Sequence, residues 1–177
     1  MRFTLIKKYI QFGKTIGINN NVPAKNNNKT NFDHDLKNYI VINNKIYYTG
    51  VRWECVEYVR RWLITVKHIT FDNIPNAIDM FDNIVLRTLC DKRINHKSIM
   101  KKDIKKNFHL IEPGTLVIYD KQHYPITGHV AVVVDIDKIN KLLYICEQNN
   151  PTNRWETSNY ARKIDDNDLS LHGIILF

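Results

Sequence analysis

Val130 to Val134 is apolar at every position. A strand turns successive side chains to opposite faces, so a run without a polar member needs cover on both sides. That stretch excludes a sheet with one wet face and asks the rest of the chain for packing layers. Thr115 to Tyr119, His129 to Asp135, Leu142 to Gln148 and Gly173 to Phe177 read as strands, all after Pro113-Gly114, where the pattern changes. Helical periodicity lies upstream. Helices first and strands later is an α+β organisation, with the N-terminal helices expected on one side of a C-terminal antiparallel sheet.

Upstream, Tyr39 to Ile42 and Lys45 to Thr49 flank Asn43-Asn44, a pair that tolerates positive φ and predicts a tight hairpin. Gly50 ends that run, and a helix is expected from about Cys55 to Lys67. Its apolar stripe is Val56, Val59, Leu63 and Val66, and Glu57 and Arg61, four apart, are assigned to its wet side. Asn76 is expected to cap a second helix with Ile78, Phe81, Val85 and Leu89 turned inward. Asp91 to Asn107 is basic and reads as a solvated connector with a short helix. Phe3, Leu5, Ile6, Ile10 and Phe12 suit a helix or extended arm, and Asn19 to Asn31 reads as a polar surface loop. The length of 177 residues fits one domain over 1–177, with 1–35 partly irregular.

Three widely spaced cysteines make neither a disulfide framework nor a CxxC metal site. With no signal-peptide pattern and no apolar window of membrane-spanning length, the expected address is cytoplasmic or virion-internal, without a membrane partner. The net charge of +8 invites an anionic partner. Outside Lys97 to Lys106 the lysines are dispersed and lack interleaved aromatics, which argues against nucleic acid as the main partner.

Chemistry concentrates at three residues. Cys55 falls at a helix N-terminus, where free N–H groups and the positive end of the macrodipole favour a thiolate, the form that attacks carbonyls. A small buried space-filler is the competing reading. His129 opens the apolar strand just after Gly128, which leaves room beside its ring, whereas the other histidines lie in polar stretches or near chain ends. If Val134 pairs with Leu142, His129 stands directly opposite Glu147 on the same face. A carboxylate there would fix the imidazole tautomer and stabilise the imidazolium. A structural ion pair is the alternative. A metal site from Cys55, His129 and Glu147 matches no common zinc spacing, so neither metal nor cofactor is expected. Cys90 and Cys146 are assigned to the core, with Cys146 on the face opposite Glu147.

Trp53-Glu54-Cys55-Val56-Glu57-Tyr58 with Arg60-Arg61, Gly114 to Lys121, Thr127-Gly128-His129-Val130-Ala131, and Glu147-Gln148-Asn149 together resemble the CHAP amidases. These are cysteine, histidine-dependent amidohydrolases and peptidases of papain-like fold. The likeness is strongest to the amidase domain of glutathionylspermidine and trypanothione synthetase/amidases, and runs from about Phe12 onward. It implies Cys55 as nucleophile, His129 as base and then acid, and Glu147 as orienter. Arg60 and Asn149 become candidates for holding substrate, with a plain structural role the alternative for each. The implied partner is a small amide or peptide: a glutathionyl-polyamine, or a peptidoglycan stem as cut by other proteins on this core.

Two departures follow. The family usually has Gln before the nucleophile, where its amide joins the oxyanion hole; here Glu54 stands there, and an ionised Glu cannot donate. Losing one such donor costs on the order of 3 kcal/mol. Activity is therefore expected to be weakened, displaced to acid, or dependent on another donor, and a catalytically weak binding module is the rival reading. No ligase domain follows residue 177, so hydrolysis without synthesis is expected.

Overall fold

The computed structural model describes residues 11–28, 36–150 and 154–177. Phe3, Leu5, Ile6, Ile10 and the 29–31 end of the polar tract lie outside them, as does His34. Strands β1 (Thr15–Asn19) and β2 (Val22–Lys25) form a hairpin, so the polar tract contains a strand rather than a plain loop. Asn20 and Asn21, both at positive φ, make its turn. Strands β3 (Lys37–Ile42) and β4 (Lys45–Val51) form the hairpin expected from Asn43-Asn44, whose φ values are 49° and 62°. Two positive φ angles give a turn whose twist matches that of the strands.

Helix α1 (Cys55–Trp62) continues as a wider π-helical turn, Leu63–Lys67, and stops where His68 turns left-handed at φ 56°. The Cys55-to-Lys67 reading holds; the wet face does not. Glu57, Arg60 and Arg61 are buried along with Tyr58, Val59 and Trp62. The β3–β4 hairpin folds over the polar side of the helix. A Cβ on Gly50, at φ +142°, would lie 2.9 Å from the Glu57 Cβ, so glycine permits that approach.

Next come β5 (Ile69–Phe71), α2 (Met80–Asn83) and β6 (Leu86–Thr88), then β7 (Arg93–Ile94), β8 (Lys97–Met100) and α3 (Lys101–Asn107). The second helix is a single turn. Asn76 donates its side-chain amide to the Asp79 carboxylate at 2.7 Å, and Val85 and Leu89 lie outside any helix because the chain enters β6. The basic segment is no mere connector. Its β8 pairs with the C-terminal strand as one edge of the main sheet, and Ile99 and Ile104 are buried.

That sheet has six antiparallel strands in the order β12 (Arg162–Ile164), β11 (Leu142–Cys146), β10 (His129–Asp137), β9 (Leu116–Tyr119), β13 (Leu171–Leu176) and β8. Val130 and Val132 join the core around α1; Ala131 and Val133 join a second core with Ile104, Phe108 and Ile111. Cover on both faces follows from the unbroken apolar run, but helices lie on both sides, because α3 covers the face away from α1. The architecture is the α+β, papain-like arrangement expected.

Candidate active site

Cys55 is the first residue of α1, preceded by Glu54 in extended conformation (φ −75°, ψ 160°). Glu54 does not cap the helix with its side chain. Asn149, at φ 61°, instead donates its amide to the Glu54 carboxylate. The Gln148 amide donates to the Glu54 carbonyl at 3.1 Å and to Glu57 Oε2 at 3.0 Å, tying the end of β11 to the start of the helix. Cys55 is 7% exposed and lines a cleft of about 440 Å³. Val51, Val56, Ile74 and Pro75 form apolar walls there, and Glu54 and Thr127 add polar groups.

His129 Nε2 lies 2.9 Å from Glu147 Oε2, with both side chains buried. The contact forms by a register other than the expected one. Val132 pairs with Cys146, so Ala131 rather than His129 falls across from Glu147. Val134 is an extra residue on β10, between Val133↔Ile145 and Asp135↔Tyr144, and the Val134–Leu142 pairing is replaced by Asp137↔Leu142. A displacement of two residues keeps both groups on one face, and a long glutamate spans the diagonal. Gly128 also serves differently. At φ +67°, a Cβ there would meet the Tyr119 carbonyl at 2.7 Å and Ile78 at 2.9 Å, so it admits the chain before α2 rather than space beside the ring.

The Glu147 carboxylate hydrogen-bonds the His129 ring, and Cys55 acts on the same ring electrostatically. Burial pushes the imidazole pKa down, but Cys55, together with Glu147, outweighs it and holds His129 up at about 9. Burial would raise Glu147; hydrogen bonding and charge from His129 and Arg162 hold it down at about 2. The arrangement can therefore keep a buried imidazolium against the Glu147 carboxylate beside the cleft that Cys55 lines.

Arg60 lies on the cleft but spends its guanidinium on backbone, donating to the Thr49 carbonyl at 3.0 Å and the Asp72 carbonyl at 3.1 Å. It rests 4.3 Å over the Phe71 ring, and burial pushes its pKa down to about 10. Cys146 packs in the α1-side core, where burial raises its thiol to about 12; Cys90 is exposed, not a core residue, because it lies in the turn after β6. Sequence reasoning missed Arg162 and Tyr124. Arg162 Nε donates to Glu147 Oε1 at 2.8 Å, and the Tyr124 ring stacks on His129 at 4.7 Å and 13°. Neither carries a local motif; β12 and the loop before Gly128 bring them in.

A second cavity of about 420 Å³, bordered by Asn95, Glu112 and Phe177, holds none of these groups. Among the described residues no helix is long and apolar enough to cross a membrane, and no cluster of three or more His, Cys, Asp or Glu side chains is placed to hold a metal ion.

The CHAP domain matches residues 46–149, from the strand before α1 to the residue beside Glu54. The chain belongs to the CHAP family. CHAP membership brings amidase or peptidase function, the hydrolysis of amide bonds. The chain is also 25% identical over 161 residues to trypanothione synthetase of Crithidia fasciculata, an alignment taking in 90% of this chain and 23% of that protein. The CHAP chain thus spans under a quarter of the length of that relative.

Proposed function

We propose that this CHAP domain, acting as one unit over 1–177, is a thiol amidase in which Cys55 is the nucleophile, His129 the general base and acid, and Glu147 the orienter. The observation that carries the reading is the buried His129–Glu147 contact at 2.9 Å, with Cys55 at the start of α1 lining a cleft and interacting electrostatically with the same imidazole. Cys55 sulfur attacks the carbonyl carbon, and the C–N bond breaks as His129 gives its proton to the leaving amine. A thioester remains. Water then gives a proton to His129 and its oxygen to the carbonyl carbon, the C–S bond breaks, and a carboxylic acid leaves. Glu147, ionised throughout, holds the ring and balances its charge.

The substrate class favoured is a glutathionyl-polyamine-like amide, supported by the likeness to trypanothione synthetase. A peptidoglycan stem amide fits the same chemistry. The binding-module reading is favoured by one contact: Glu54 engages the Asn149 amide, so a carboxylate and an occupied donor stand where an oxyanion would gather charge. Hydrolysis of glutathionylspermidine and of a stem peptide by wild type and Cys55→Ala decides between these. Turnover of either, abolished in Cys55→Ala, is expected and names the substrate class. No turnover of either, with Cys55 inert to iodoacetamide, overturns the enzyme reading and leaves the binding module.

A further inference from the structure

Glu147 accepts from more than His129. Arg162, on β12, donates Nε to Oε1 at 2.8 Å and a terminal nitrogen to Oε2 at 3.4 Å, a two-pronged grip on a carboxylate that is 3% exposed. A surface ion pair adds little, but this partner is buried and the fork fixes its plane. The same guanidinium donates to the Tyr124 hydroxyl at 3.2 Å and lies 4.9 Å over the Tyr119 ring. Tyr124 stacks almost parallel on the imidazole, while Tyr119, paired with His129 across β9 and β10, closes a second side at 5.6 Å. One arginine thus fixes the carboxylate and also the ring that covers its imidazole.

We propose that Arg162 and Tyr124 are positioning residues of the His129–Glu147 pair: Arg162 locks the carboxylate plane and keeps it ionised, and Tyr124 clamps the imidazole against rotation away from Cys55. The proposal rests on the amidase reading above. The charged or titratable groups around the pair are Cys55 from α1, Arg162 from β12, Tyr119 from β9, Tyr124 from the loop after it, and Asp168, which accepts from Arg162 at 3.4 Å. Among them Arg162 is the fixed positive charge. Removing a positive charge beside two proton-binding groups raises the proton affinity of both. The electron-rich face of Tyr124 favours the imidazolium it covers.

The test needs no assumed substrate. Alkylation by iodoacetamide is followed by mass spectrometry on the Cys55 peptide across pH 4 to 9 (an assay range of about this width spans both limbs), with exposed Cys90 as internal reference. In wild type, Cys55 is expected to react faster than Cys90 at acid pH. In Arg162→Gln the rise of the profile moves to higher pH by about one unit, and Arg162→Lys restores its position. Tyr124→Leu slows Cys55 several-fold while Tyr124→Phe, which keeps the stack, does not. An unshifted Arg162→Gln profile overturns the role of Arg162, and an unchanged Tyr124→Leu rate overturns that of Tyr124. If Arg162→Gln does not fold, a shifted Arg162→Lys profile overturns the charge argument in its place. Wild-type Cys55 no faster than Cys90 sinks the amidase reading itself, an outcome distinct from the others.

Discussion

Two buried glutamates stand at the site, Glu147 in contact with His129 and Glu57 two residues after Cys55, and they differ in what their partners can do. Glu57 accepts from the Asn38 amide at 2.9 Å, the Thr49 hydroxyl at 2.9 Å, Arg61 Nε at 2.8 Å and the Gln148 amide at 3.0 Å. None of these donors gives up its proton near neutrality. Glu147 has an equally firm grip from Arg162, but its other partner is an imidazole that also interacts electrostatically with Cys55. The first carboxylate is a fastener that seats α1 on its hairpin. The second couples to a group able to move protons. Burial and saturation alone do not single out a candidate catalytic carboxylate; a titratable partner does.

Breaking each carboxylate separately should give opposite phenotypes. Glu147→Gln keeps the shape but loses the charge opposite the imidazolium, and amide hydrolysis is expected to fall by about 10³- to 10⁴-fold in a protein that stays folded near pH 7. Glu57→Gln leaves Arg61 buried without its counter-charge, which costs about 3–5 kcal/mol in denaturant unfolding, while activity per folded molecule falls less than tenfold. If Glu57→Gln kills activity in a stably folded protein, the distinction fails.

Glu54 sharpens the comparison from the oxyanion side. Glu54→Gln supplies an amide where the family has one and releases Asn149 from a carboxylate, and kcat is expected to rise by about 10²-fold. A kcat that stays level would assign oxyanion binding to other donors.

The pair also predicts a pH signature. His129 is held above its ordinary value, so its share of stability is complete below about pH 6.5 and lost as pH rises through about 9. Glu147 is held below its ordinary value, so its share is present above about pH 4.5 and lost as pH falls through about 2. Wild type should therefore gain melting temperature over Glu147→Gln most between about pH 4.5 and 6.5, by several degrees, with the gap narrowing toward pH 9. The smallest effect expected is at the β3–β4 turn: Asn44→Ala, forcing alanine to positive φ 62°, costs about 1 kcal/mol.

What the sequence made legible was what local pattern can carry. The Asn43-Asn44 hairpin, the helix starting at Cys55 and the doubly covered strand all follow from φ preference and periodicity. The polar face of α1 was misread because Glu57 and Arg61 at helical spacing look the same whether they meet water or a hairpin 8 to 19 residues earlier in the chain. His129 and Glu147 were brought together on the right face by a register two residues off, since parity survives an even displacement and the bulge at Val134 leaves no mark in the sequence. Arg162 and Tyr124 were invisible because their roles depend on β12 crossing beside β11 and on a loop folding back over the imidazole.

The central claim is that Cys55 carries the acyl group. Its most direct test is to mix the protein with glutathionylspermidine or a stem peptide, quench in acid within the first turnover, and map the adduct by mass spectrometry. The account predicts an acyl mass on the peptide containing Cys55, removed by hydroxylamine as a thioester is, accumulating in Glu147→Gln if deacylation slows more than acylation. An adduct on another residue, or turnover that persists in Cys55→Ala, would contradict it.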